Sequence, residues 1–221
     1  MRPDSTWRLA RAELSLGRTA AIAYAVAAAL GAAPVATHDE MPRSLGSSLI
    51  MAVLIGQCFH LPIVSVFHDI TRGTRAFTLS LPVTPAEYAA GKLVSNGLLF
   101  LAPAGAAAVA VLATPADQRV FPAPLVLLML LGWLIFFFQN LGIALVTESM
   151  GATIVALLAE LFVVGNGLMI VAPRIPGMLR LWGRLEAGGP VRDAAFVLLA
   201  FELAGVVALI LFLMGRKRRF V

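Results

Sequence analysis

Two carboxylates stand where an ionised side chain is costly. Glu160 falls inside the apolar run Ala152–Ala172 and Glu202 inside the run Ala194–Met214. A charged group at the centre of a bilayer costs about 2.5–3.5 kcal/mol on insertion scales, so such residues face protein, water or a cationic ligand. The chemistry they offer is proton uptake and release, or the holding of a cation. Each lies about eight residues into its run, one run entering from the inside of the membrane and the other from the outside, so antiparallel helices put both near mid-membrane, able to share one polar layer. Gln57 and His60, three residues apart, share a helical face beside Gly56, and Gln139, Asn140 and Asn166 place amides in two further runs. These amides are equally suited to clamping helices together, at about 0.6 kcal/mol per contact on average.

Other chemistries lack their residues. The phosphate-loop spacing G-x-x-x-x-G-K-[ST] is absent, as are the G-x-S-x-G elbow and the H-E-x-x-H pair. His38, His60 and His68 do not have metal-ligand spacing, and the single cysteine, Cys58, excludes an intrachain disulfide or a cysteine cluster. The expectation is a chain that is not itself an enzyme and carries no cofactor or metal of its own.

The elements that must position these residues follow from composition. Of 221 residues, 60% are hydrophobic and 13% charged, and the mean hydropathy is +0.90. A soluble domain is roughly 45–50% apolar and about 25% charged, so this excess has no place in a water-soluble fold. Six apolar runs are read: Thr19–Val35, Leu45–Phe67, Leu93–Ala113, Pro122–Val146, Ala152–Ala172 and Ala194–Met214. Six spans of about 20 residues use roughly 120 positions. The fold class expected is an all-α integral membrane protein with six transmembrane helices in a single transmembrane domain over 1–221. Residues 1–18 form an amphipathic amino-terminal helix, 19–214 the bundle and 215–221 a basic tail. The stretch before the first run carries Asp4 and Glu13, which argues against a cleaved signal peptide.

Orientation comes from Lys and Arg on alternate sides. With the amino terminus inside, Arg2, Arg8, Arg11, Arg18, Arg72, Arg75, Lys92, Arg216, Lys217, Arg218 and Arg219 are cytoplasmic, while Arg43, Arg119, Arg174, Arg180, Arg184 and Arg192 are outside. That asymmetry favours both termini in the cytoplasm. Spread over short segments, the formal charge of +5 makes no patch for nucleic acid, and none is expected as a partner. Within the last outer loop, Met178, Leu181, Trp182 and Leu185 follow helical spacing with Arg180 and Arg184 on another face, which predicts an interfacial helix against membrane lipid before span six. Ser5–Arg18 is likewise read as a helix near the cytoplasmic membrane surface, its arginines facing anionic lipid.

The loop between spans two and three, His68 to Leu93, is the most informative segment. Thr84, Pro85 and Glu87 form a capping box with proline at the first helical position, so the third span's helix starts about two turns before the bilayer. Pro82 separates that helix from Ile70–Leu79, which mixes apolar and basic residues and suits a short helix parallel to the membrane. Asp69, then Gly73 and Thr74, then Phe77, Leu79, Ser80, Leu81, Pro82, Val83 and Thr84, then Lys92, resemble the permease subunits of type-2 ATP-binding-cassette (ABC) exporters. Those have six spans and a first cytoplasmic loop with an acidic residue, Gly-Thr, a hydrophobic stretch ending in Leu-Pro-Val-Ser/Thr, and a lysine entering the third span. Asp69 stands where the family often has Glu, and the loop between spans one and two is very short.

The resemblance implies a coupling helix over Asp69–Ser80, with Asp69, Arg72, Gly73, Thr74, Arg75, Phe77, Leu79 and Ser80 docking into a cytosolic ABC ATPase. It implies ATP and Mg in that partner chain, a second permease copy in a homodimer or heterodimer, and a place in a bacterial cytoplasmic membrane. It also selects Gln57, His60, Glu160 and Asn166, in spans two and five, as pathway-lining candidates, with Glu202 added from span six. Against it stand two other readings: a membrane-embedded enzyme or proton-linked carrier using Glu160 and Glu202, and a non-transporting membrane anchor.

Overall fold

The computed structural model describes residues 3–35, 39–67, 83–114, 122–166, 174, 183–185 and 189–217. Six helices carry most of them: α1 Pro3–Val35, α2 Glu40–Pro62, α3 Pro85–Ala113, α4 Ala123–Thr147, α5 Met150–Asn166 and α6 Pro190–Arg216. A π-helical segment, Ile63–Phe67, continues α2. Among the described residues there is no strand.

Five helical stretches, Thr6–Val35, Met41–Phe67, Pro85–Ala113, Ala123–Thr147 and Pro190–Arg216, are long and apolar enough to cross a membrane. This is the character of an integral membrane protein. Residues 167–173 lie outside the described residues, which for α5 are the 17 from Met150 to Asn166. Their apolar stretch is Met150–Val163.

The amino terminus departs from expectation. The surface helix over Ser5–Arg18 and the first span are one element, α1, of 33 residues. No proline interrupts it before Pro34, and Gly17 alone costs a helix interior only about 1 kcal/mol. Its polar end is held by packing on α3: Leu9 lies against Gly91 and Leu99 against Gly17, where an added Cβ would come within 2.4 Å of Leu99 Cδ1.

Those contacts advance together along both chains, so α1 and α3 run parallel. Gly31 meets Gly46, while Tyr24 meets Gly56 further along α2, so α1 and α2 are antiparallel. A Cβ on Gly46 would sit 2.4 Å from the carbonyl oxygen of Gly31, an approach only a small residue allows. Between helices in lipid the hydrophobic effect supplies little, and close backbone packing through small residues takes its place. Gly142 does the same for α4 and α6, admitting Ile210.

The helix α3 is central, packing on α1, α2, α4 and α6. Phe100 of α3 stacks on Phe137 of α4 with ring centroids 4.6 Å apart, and both rings are fully buried. Leu141, Leu145, Leu157 and Met214 complete the core. The outward faces of α1, α5 and α6 carry Leu16, Leu30, Phe162, Leu198 and Phe201, all well exposed.

Candidate functional site

Besides the Lys217–Glu148 pair that ties the end of α6 to the end of α4, the described polar residues gather in two places. The first lies at the end of the bundle where α2 stops and α3 begins. Thr84 opens α3 as foreseen: the Glu87 backbone N–H donates to Thr84 Oγ1 at 3.2 Å, and the Thr84 N–H donates to Glu87 Oε2 at 2.9 Å. Pro85 occupies the first turn, where its missing N–H costs nothing. Two turns on, Lys92 is only 2% exposed. Its ammonium donates to Glu13 Oε1 of α1 at 2.5 Å and to the Ser65 carbonyl at 2.5 Å, and lies 5.5 Å from the centroid of the Tyr88 ring.

Ser65 belongs to the π-helical segment, whose i→i+5 pairing differs from the ladder of a regular helix. Asn96 Nδ2 donates to Ser65 Oγ at 2.8 Å and to the Lys92 carbonyl at 2.9 Å, and Ser65 Oγ donates to Glu13 Oε2 at 3.4 Å. Three elements are thereby tied at one knot. Its role is positional: a buried cation removed from water must be matched by a carboxylate and by further hydrogen bonds. It ties the π-helical segment that ends at Phe67 to α3 and α1.

That segment carries Asp69, Arg72, Gly73, Thr74, Arg75, Phe77, Leu79 and Ser80, all of which lie outside the described residues. Of the interfacial helix expected before α6, only 183–185 are described, as helix. Gly189 adopts a φ of +88°, which favours glycine, and Pro190 then begins α6.

The second gathering is inside the bundle. Gln57 is fully buried and His60 half-buried on α2, and the Tyr24 ring of α1 meets the His60 ring edge-on at 5.7 Å. Tyr24 Oη donates to the Gly56 carbonyl at 3.4 Å. On the other flank, Asn140 Nδ2 of α4 donates to Glu160 Oε2 of α5 at 2.9 Å. Cys58 is fully buried on α2. Asn166 is the last described residue of α5, with its side chain outside the described residues.

Glu202 does not join this layer. It stands on an exposed face of α6, and among the described residues no hydrogen bond or ion pair holds it. Glu160 instead finds its partner in Asn140, which the sequence offered only as one amide among several. Glu13 belongs to the first gathering, although local periodicity places it only in a surface helix. The available signal was that it is the one acidic residue between Arg8, Arg11 and Arg18.

A cavity of about 120 Å³ opens between α2, α3 and α4, walled by Leu54, Ala104, Ala107, Val126, Met129 and Trp133. None of the candidate residues lines it. Among the described residues no group of three or more His, Cys, Asp or Glu side chains is placed to hold a metal ion. The sequence matches no protein-family model, and no curated protein matches it.

Proposed function

We propose that this chain is the permease subunit of an ATP-driven ABC exporter, crossing a bacterial cytoplasmic membrane six times with α5 as the fifth crossing and both termini in the cytoplasm. Two permease subunits form the pathway, and separate cytosolic ATPases that bind ATP and Mg drive it. The observation that carries the reading is the rooting of the segment 68–82. A lever must be stiff where it enters the membrane, and here one end meets the Thr84–Glu87 capping box and the other the Ser65–Lys92–Glu13 knot. The segment's sequence supports it further, since Asp69, Gly73, Thr74 and the Leu81-Pro82-Val83-Thr84 run resemble the coupling element of such permeases. The missing phosphate loop is consistent with it, because an ATP-driven transporter without one draws on a motor from another chain.

In this mechanism the closing ATPases push on Asp69–Ser80. The knot passes that push jointly to α1, α2 and α3, and the spans carrying Gln57, His60, Glu160 and Asn166 move relative to the second copy. A proton-linked carrier is the second reading, favoured by one observation, the Asn140–Glu160 hydrogen bond inside the bundle. Co-expression with a cytosolic ABC ATPase of the same organism, purification in lipid discs and measurement of ATP hydrolysis test the first reading. The expected result is a stable complex with altered ATP turnover, weakened by Asp69→Ala and Phe77→Ala. A chain that neither binds the ATPase nor changes its turnover overturns it.

A further inference from the structure

The turn of α2 from Gln57 to Pro62 holds more hydrogen-bonding capacity than the described protein satisfies. Both amide atoms of Gln57, Oε1 and Nε2, are buried with no partner, and so is Nδ1 of His60. Pro62 lies inside the helix and has no N–H, so the carbonyl of Cys58, four residues earlier, loses the donor a regular helix would supply. The Ile63 N–H goes to the carbonyls of Phe59 and His60 instead. Gln57 and His60 are neighbours at i and i+3, with Cβ atoms about 5–6 Å apart in a helix. A donor, an acceptor and a ring nitrogen thus converge on one turn.

An unsatisfied amide in an apolar environment costs roughly 2–7 kcal/mol, so a stable fold supplies it with a partner. Gln57 is 0% exposed within a single chain, which excludes a second copy or a bulky ligand as that partner. What fits is small and both donates and accepts. Buried waters typically make about three hydrogen bonds to otherwise unsatisfied groups, and ordered water is one of the means by which proline-broken spans satisfy their freed backbone.

We propose that the Gln57–Pro62 turn is an internal water-binding site, with Gln57 and His60 as its ligands, which gives the His60 imidazole a partner for proton exchange in the bundle interior. The site stands independently of the exporter reading. Its test needs only the purified full chain in lipid discs, with deuterium incorporation at the histidine C2 position followed by mass spectrometry. His60 is expected to exchange, and Gln57→Leu to slow that exchange by about tenfold by removing the water's anchors. Gln57→Leu is also expected to lower the melting temperature; Gln57→Met serves if the leucine variant does not fold. The proposal is overturned if His60 takes up no deuterium while the unfolded chain exchanges fully. It is overturned equally if the substitution raises the melting temperature and leaves the exchange rate unchanged, because the amide was then merely unpaired.

Discussion

Lys92 of α3 and Glu13 of α1 pair at 2.5 Å across a separation of 79 positions, with the lysine side chain 3% exposed. The same ammonium holds the Ser65 carbonyl, so one cation joins the starts of two parallel helices to the end of a third. This arrangement ties together the elements that flank the segment 68–82 in the chain.

Breaking the pair from one side strands a buried charge. Lys92→Met is expected to destabilise the protein by about 3–5 kcal/mol, whereas Lys92→Met combined with Glu13→Leu recovers most of that loss. Thermal unfolding in detergent measures both. Equal loss in the single and double variants would show that the lysine matters for packing and not for charge.

Thr84→Ala removes the side-chain acceptor for the Glu87 N–H and is expected to cost about 1 kcal/mol. The fraying belongs to the first turn of α3, so backbone hydrogen exchange should accelerate at 86–88 and leave Phe100 and its neighbours unchanged.

Gly46→Ala drives a methyl group into the Gly31 carbonyl and is expected to cost about 1–3 kcal/mol. Gly105→Ala and Gly132→Ala meet nothing within 4 Å and should stabilise their helices by up to about 1 kcal/mol. Melting temperatures that fail to separate these variants would contradict the α1–α2 contact.

Glu160→Gln retains a side-chain oxygen for the Asn140 amide, while Asn140→Leu removes the donor altogether. The leucine variant is expected to lose about 0.6 kcal/mol and the glutamine variant less. Reversible unfolding in lipid discs, with the double variant closing the cycle, reads the coupling directly.

Orientation is checked by single cysteines. With Cys58→Ala as background, Ser80→Cys should react with a membrane-impermeant maleimide only in inside-out vesicles, and Arg43→Cys only in right-side-out cells. The opposite pattern would put the segment 68–82 beyond the reach of any cytosolic ATPase.

Much of this architecture was legible from local rules. Apolar runs set where spans lie because every backbone group in lipid must be satisfied within its own helix. The residues Thr84, Pro85 and Glu87 specified the start of α3 because a capping box is closed by neighbours in sequence. The π-helical stretch Ile63–Phe67 was not legible, because it shows in the backbone pairing and not in residue type.

The partners of the buried polar residues were beyond local rules altogether. Periodicity could put Glu160 inside a span, but only the packing of α4 on α5 chose Asn140 for it and left Glu202 exposed on α6. The pairing of Glu13 with Lys92 depends on α1 running on without a break and lying parallel to α3, which small residues at Gly17 and Gly91 permit. Sequence alone determined that the chain is a helical membrane protein, since hydropathy and capping act over a few residues. Tertiary structure decided which polar groups meet, since that depends on the register between helices distant in the chain.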